Sequence, residues 1–170
     1  MLRSARFPVS SKTTVFSTAL AWTAIIIVAL ALQGCGKSFI SSGGYGKASG
    51  NAVVAKARTQ IGKPYKYGGT TPKTGFDCSG LIQWSYKQCG VNVPRNTKDQ
   101  AKAGTAVKKS QLRAGDIIVF RISARSGLHT AMYTGNGKFI HSPSTGKRIR
   151  EDNLSTDYWA RRYVSARRIL

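Results

Sequence analysis

The spacing of apolar and polar positions changes character along these 170 residues. An early run from Val15 to Leu32 is almost wholly apolar and follows Arg3, Arg6 and Lys12. Residues 35–50 then offer little to bury, because glycine and serine dominate, and the stretch reads as a flexible tether. From residue 51 the period becomes helical: Val53, Val54, Ala57 and Ile61 share one face, and Gly62 with Pro64 predicts the stop. A second helix is expected from Cys78, capped by Asp77, with Leu81, Ile82, Ser85 and Cys89 on its buried side and Gly90 at its end. Thr97 and Gln100 have the spacing of a capping box for a short third helix that Gly104 closes. Beyond Gly115 the texture is that of strands: 117–122, 128–134, 138–142 and 163–169. Helices first and strands after predict an α+β domain over residues 51–170, N-terminal helices packed on a C-terminal antiparallel β-sheet.

The N-terminal run changes the picture of where such a domain works. A basic segment, an apolar segment and a small residue in that order form an export signal, here residues 1–34. Leu32-Gln33-Gly34-Cys35 resembles the bacterial lipobox, which implies lipidation of Cys35 as the mature N-terminus. Gly36, where an aspartate would retain the protein, implies an outer-membrane lipoprotein facing the periplasm. An uncleaved anchor is the alternative, since about 18 apolar residues approach a bilayer span; polar Ser17, Thr18 and Thr23 weaken it.

Lys and Arg number 27 against six Asp and Glu, a formal net charge of +21. Cleavage after residue 34 removes three of those cations and no acid, so the mature chain stays strongly basic. Such a charge draws polyanions, and export excludes nucleic acid as the partner. The cations are also dispersed, without a run of interleaved aromatics, so most of them read as a solvated surface.

Cys78 and Cys89 do not read as a disulfide: on one helix, 11 residues at 1.5 Å rise separate them by about 16 Å. Cys89 is expected as a small core residue. Cys78, in the first turn of its helix, meets unpaired N–H groups and the positive end of the dipole, which favour a thiolate. His129 and His141 lie in adjoining predicted strands around Gly135-Asn136-Gly137. A strict two-residue turn would set Met132 opposite His141 and put the imidazoles on opposite faces. A three-residue loop with Gly137 left-handed sets Ala131 opposite His141 and brings both rings to one face, and this is the register expected. The roles are then Cys78 as nucleophile, His129 as general base and later acid, and His141 as the group that orients His129. The Cys78 N–H and the Tyr65 hydroxyl are candidate oxyanion donors. Each histidine could instead be structural, and a zinc site is a poorer rival because no metal-ligand spacing is present.

Several blocks in order, Gly62-Lys63-Pro64-Tyr65-Lys66-Tyr67-Gly68-Gly69, Gly75-Phe76-Asp77-Cys78-Ser79-Gly80-Leu81, Pro94-Arg95-Asn96-Thr97, Leu112-Arg113-Ala114-Gly115-Asp116, Phe139-Ile140-His141 and the closing Ala166-Arg167-Arg168-Ile169-Leu170, closely resemble the NlpC-type family of cell-wall cysteine peptidases. The resemblance covers residues 51–170 and implies a papain-like fold with the nucleophile at a helix start. It implies Cys78, His129 and His141 as the triad, and Tyr65 beside the oxyanion site. It also sets Asp77 and Ser79 beside the nucleophile, with Asp77 either capping the helix or contacting a substrate amine. Thr130-Ala131 stand where the family usually has Val-Gly, a departure that bears on substrate fit beside His129. The activity implied is hydrolysis of peptidoglycan peptides by an endopeptidase, with no cofactor and no metal. A glycan–peptide amidase and a non-catalytic wall-binding module are the alternatives.

Overall fold

The computed structural model describes residues 48–123 and 127–170. The expected signal segment 1–34, Cys35 and nearly all of the 35–50 tether lie outside these residues. Helix α1 (Gly50–Arg58) begins just inside the expected tether, because the Ser49 hydroxyl caps it by accepting from the Ala52 N–H at 3.2 Å. It ends sooner than its apolar spacing predicts: Val53, Val54 and Ala57 are buried, whereas Ile61 falls in the following turn, 50% exposed. Nine residues are too few to hold a helix alone in water, so the buried face sustains it.

Two-residue strands β1 (Thr70–Thr71) and β2 (Gly75–Phe76) pair with each other and lead into helix α2 (Cys78–Lys87). Asp77 caps α2 as expected, its Oδ1 accepting from the Gly80 N–H at 2.6 Å. Leu81, Ile82 and Ser85 are buried along this helix. Cys89 lies past its end, half-buried against the same core, and both Cys78 and Cys89 are free thiols. Helix α3 (Thr97–Gln100) departs from its predicted cap: Asn96 accepts from the Asp99 N–H at 2.9 Å, and Gln100 turns inward with no exposed surface.

The remaining elements are β3 (Thr105–Val107), β4 (Ile117–Arg121), β5 (Leu128–Gly135), β6 (Lys138–His141), β7 (Arg150–Asn153), helix α4 (Asp157–Ala160) and β8 (Tyr163–Arg168). They form a six-stranded antiparallel sheet of order β3-β8-β4-β5-β6-β7. Alternation along the strands divides the core in two. Ile117, Met132 and Ile140 pack with Val53, Leu81 and Ile82 of the helices. Ile118, Phe120, Ala131 and Phe139 pack with Leu154 and Trp159 on the opposite face. Both faces of the central strands β4, β5 and β6 are therefore covered, so most residues there meet side chains and not water, whereas the outer strands keep exposed positions. Among the described residues, no helix is long and apolar enough to cross a membrane.

The β5–β6 hairpin sets the parity on which the two histidines depend. Met132 stands opposite Ile140, the register of the three-residue alternative, but the chain reaches it differently. Asn136 and Gly137 alone make the turn, with φ of 51° and 72°, the twist-matched two-residue geometry. The extra residue sits in a bulge between Tyr133 and Gly135. That bulge shifts β5 by one place relative to β6 and so turns His129 and His141 to the same face.

Candidate active site

Cys78 is the first residue of α2, and a cleft of about 480 Å³ opens above it, lined also by Tyr65, Arg95 and His129. The backbone approaches closely here, since a Cβ on Gly80 would collide with the Gly69 carbonyl oxygen. Asp77 Oδ1 accepts from the Gly80 N–H, the Ser79 hydroxyl and Arg95 Nη1, and its Oδ2 accepts from the Gly68 N–H and Arg95 Nη2. The Arg95 fork, at 3.0 and 2.6 Å, is the bidentate geometry of a strong ion pair. A carboxylate has roughly four lone-pair positions. Five donors from the protein already occupy those of Asp77, which favours the capping role over a substrate-amine contact. Ser79 is buried in the same cluster, with its oxygen 2.9 Å from Arg95 Nη1.

His129 and His141 are brought together from β5 and β6, with His129 Nε2 2.9 Å from His141 Nδ1. Behind them stands Asp152 on β7, whose Oδ2 is 3.0 Å from His141 Nε2 and 3.1 Å from Trp159 Nε1. Arg150 holds the same carboxylate through Nε and Nη2 at 2.8 and 3.0 Å. Trp159 stacks on the His129 ring, centroids 5.8 Å apart, and meets His141 edge-on.

The direction of this chain follows from the inventory of donors. An ionised carboxylate only accepts, so His141 carries its proton on Nε2 and offers the Nδ1 lone pair. His129 must then donate from Nε2, which leaves its Nδ1 lone pair unused. Because His129 and Cys78 line one cleft, that lone pair is the base available to a thiol there.

The electrostatics support a neutral resting pair. Burial pushes the Cys78 thiol above its ordinary value, opposed by hydrogen bonds from Thr130 and from the Ser79 N–H. The lowering expected from the helix tip is thus outweighed, since taking the sulfur out of water penalises its anion more than the dipole favours it. Burial, reinforced by His141, pulls His129 down to about 3. His141 is lowered by burial too, with Asp152 opposing. The His141 hydrogen bond, joined by Arg150, holds the Asp152 carboxyl well below the usual range. Tyr65 is raised, by burial first and then by Cys78 and Asp77, so its hydroxyl stays a donor at neutral pH.

Besides Arg95, four residues that the structure places at the site were given no active-site role by the sequence. Asp152, Arg150 and Trp159 come from a polar strand and a one-turn helix with no apolar periodicity. The fourth is Gln100, whose Nε2 donates to the carbonyls of Ser79 and Pro94 at 3.0 and 2.9 Å. Its Oε1 accepts from the buried Thr130 hydroxyl at 2.9 Å. Gln100 therefore ties the residue after Cys78 to the residue after His129. Among the described residues, no group of three or more His, Cys, Asp or Glu is arranged to hold a metal ion.

The NlpC/P60 family profile matches residues 62–168, which includes every element just described except α1. This chain belongs to the NlpC/P60 family. Over 122 residues it is 44% identical to the murein DD-endopeptidase MepH of Escherichia coli (strain K12), covering 69% of this chain and 45% of MepH. Over 151 residues it is 36% identical to the probable endopeptidase NlpC of the same organism, covering 85% of this chain and 97% of NlpC. The crystal structure of an NlpC/P60 family protein from Bacillus cereus ATCC 10987 superposes with a TM-score of 0.68 at 33% identity, covering 73% of this chain and 41% of that one. The chain spans less than half the length of MepH and of other curated relatives.

Proposed function

We propose that this NlpC/P60 protein is a peptidoglycan endopeptidase that cleaves amide bonds in stem peptides or cross-links through Cys78. The observation that carries the reading is the one-way hydrogen-bond chain Asp152–His141–His129, which leaves a lone pair on His129 in the cleft that holds Cys78. The names of MepH and NlpC support the same reaction class.

The steps follow from the groups present. His129 takes the thiol proton as the sulfur attacks the amide carbon, so a C–S bond forms while charge gathers on the carbonyl oxygen. The Cys78 N–H and the Tyr65 hydroxyl are the donors for that oxyanion. The C–N bond then breaks and the imidazolium proton passes to the leaving amine. Water, deprotonated by His129, attacks the thioester; the acid departs and Cys78 regains its proton. Because burial disfavours both the thiolate and the imidazolium, the proton moves in step with attack and no ion pair stands ready beforehand. His141 and Asp152 orient His129 and favour its transient charge.

Digestion of purified peptidoglycan by wild type and Cys78→Ala, with products identified by mass, tests this. New peptide termini made only by the wild type are expected. Release of intact stem peptides from glycan would indicate an amidase instead, and equal wall binding without products would indicate a binding module.

The address is part of the proposal. Arg3, Arg6 and Lys12, the apolar run and Leu32-Gln33-Gly34-Cys35 support a lipoprotein anchored through Cys35 in the outer membrane and facing the periplasm. Peptidoglycan and that membrane are its partners, and the net positive charge suits a carboxylate-rich substrate. Cys35→Ala should move the protein from the outer-membrane fraction to the soluble periplasm or the inner membrane.

A further inference from the structure

Most cations of this chain are dispersed, but three arginines converge at the end of β4. Arg121, Arg161 and Arg162 line one cavity of about 460 Å³ together with Ile122 and Ser123, and among the described residues no acidic side chain lines it. The fold brings them together: the Arg121 N–H donates to the Arg162 carbonyl at 2.9 Å, so the end of β4 lies beside the turn between α4 and β8. Ile122, 39% exposed, also lines the cleft that holds Cys78. The arginine cavity is therefore the next surface for a strand that leaves the active site over Ile122.

The chain itself offers these cations almost no counter-charge. Of its six acidic side chains, Asp77 is held by Arg95, Asp99 by Asn96, Asp116 by Arg168, Glu151 by Arg58, and Asp152 by His141 and Arg150. The sixth, Asp157, meets Arg161 at 3.9 Å with both side chains largely exposed, a pair that contributes little. Arg162 by contrast is fixed in place: its guanidinium lies over the Tyr158 ring at 3.8 Å, and its Nη1 donates to the Tyr158 carbonyl at 3.0 Å. Its Nε is buried without a hydrogen-bond partner among the described residues, an arrangement that costs free energy and that an anion beside the guanidinium would offset. One braced guanidinium flanked by two exposed ones, Arg121 and Arg161, suits planar carboxylates.

We infer that Arg121, Arg161 and Arg162 form a second, non-catalytic anchor for peptidoglycan, which binds carboxylates of the polymer beyond the two residues joined by the cut bond. The inference rests on the endopeptidase reading and adds how the enzyme tells a polymer from an isolated peptide. No bond is made or broken at the anchor. Its effect is to raise the local concentration of substrate strand across the cleft once one contact is made.

Two substrates separate the anchor from the chemistry: a short synthetic peptide containing the bond that mass analysis of the digest identifies, and soluble peptidoglycan fragments with several stem peptides on one glycan chain. The double variant Arg121→Gln/Arg161→Gln removes two exposed cations and leaves Arg162, braced on Tyr158, in place. It should lose about fivefold in kcat/KM on the fragments, the size of two exposed charge contacts, mainly through KM, and keep wild-type kinetics on the short peptide. In about 1 M salt, where the screening length falls to about 3 Å, the two proteins should converge on the fragments. Lys56→Gln/Lys87→Gln, which removes two exposed cations from the helices, should match wild type on both substrates and so separates the cavity from bulk charge. An unchanged KM for the fragments, an equal loss on the short peptide, or the same loss in the lysine variant would each overturn the anchor while leaving the endopeptidase reading intact. Loss of binding to phosphatidylglycerol vesicles with no change on the fragments would also overturn it, and would make the cavity a membrane contact. Failure of wild type to cut either substrate would overturn both readings.

Discussion

Replacing Asp152 by asparagine removes one negative charge and turns one of two acceptor atoms into a donor. In the protein, the carboxylate accepts four hydrogen bonds, from His141, Trp159 and twice from Arg150. An asparagine can satisfy only one side. With its NH₂ toward Arg150, two donors face each other and the loop is strained. With its NH₂ toward His141, the ring must accept at Nε2 and carry its proton on Nδ1. His129 then has to accept at Nε2 and presents N–H, not a lone pair, to the thiol. Losing the base tautomer in a directly bonded Asp–His pair costs about 10⁴ in kcat. With an imidazole intervening, and one asparagine rotamer still able to accept from His141, a fall of about 10²–10³ is expected, equivalent to about 3–4 kcal/mol of transition-state stabilisation. KM should change little, since Asp152 does not line the Cys78 cleft. Steady-state kinetics on a peptide substrate gives the split, and ¹⁵N shifts of the two imidazoles report the tautomers. Asp152→Asn with kcat within twofold of wild type and an unchanged His129 tautomer would refute the chain of reasoning from carboxylate to base.

Two further outcomes follow from the same geometry. Gln100→Leu leaves the carbonyls of Ser79 and Pro94 and the hydroxyl of Thr130 without partners, at least two of them buried. A loss of about 3 kcal/mol in unfolding free energy is expected from those unsatisfied groups, and chemical denaturation measures it; a change under 0.5 kcal/mol would show that the clamp is dispensable. The pH profile of kcat/KM should be unusually broad, because His129 must be neutral to act and is pulled down to about 3, while the Cys78 thiol must be protonated and is pushed up. An acid limb at the ordinary histidine value would contradict this. Stability carries the same sign: unfolded His129 takes up a proton below about 6.5 that the buried ring refuses, so Tm should fall as pH drops from there toward 3. Protonation of Asp152, held low in the fold, adds to the loss below about pH 4.

What could be foreseen from the sequence divides along physical lines. Asp77 before Cys78 announces its helix because a carboxylate at an N-cap has a local target, the Gly80 N–H three residues on. Strands β4 and β5 are legible because their apolar residues serve two buried faces. Strand β7, Arg-Glu-Asp-Asn, has no apolar residue at all; it is held by pairing with β6 at the sheet edge, a tertiary fact that leaves no periodic trace. Asp152 stayed hidden with it, and Trp159 with the one-turn helix α4. Gln100 was misread for a related reason. Its spacing from Thr97 fits a capping box, but Asn96 takes the cap, and the buried carbonyls of Ser79 and Pro94 offer the amide better partners than the helix end. Arg95 sits in a recognisable block, yet its pairing with Asp77 joins residues from different loops, which spacing alone does not reveal.

The bulge before the β5–β6 turn makes that hairpin sensitive to register in a way that its composition does not suggest. Asn136 is exposed and Gly137 half-buried, and the positive φ of both is the kind that Asn-Gly, Asp-Gly or Gly-Gly pairs supply at such a corner. Straightening the bulge is another matter: with Thr134 paired opposite Phe139 across the same turn, odd is exchanged for even along β6, so that Ile140 would be dealt the place of His141 and the imidazole would be thrust among Met132 and Leu81. The hairpin works as a ratchet with two notches, and only one of them yields a relay.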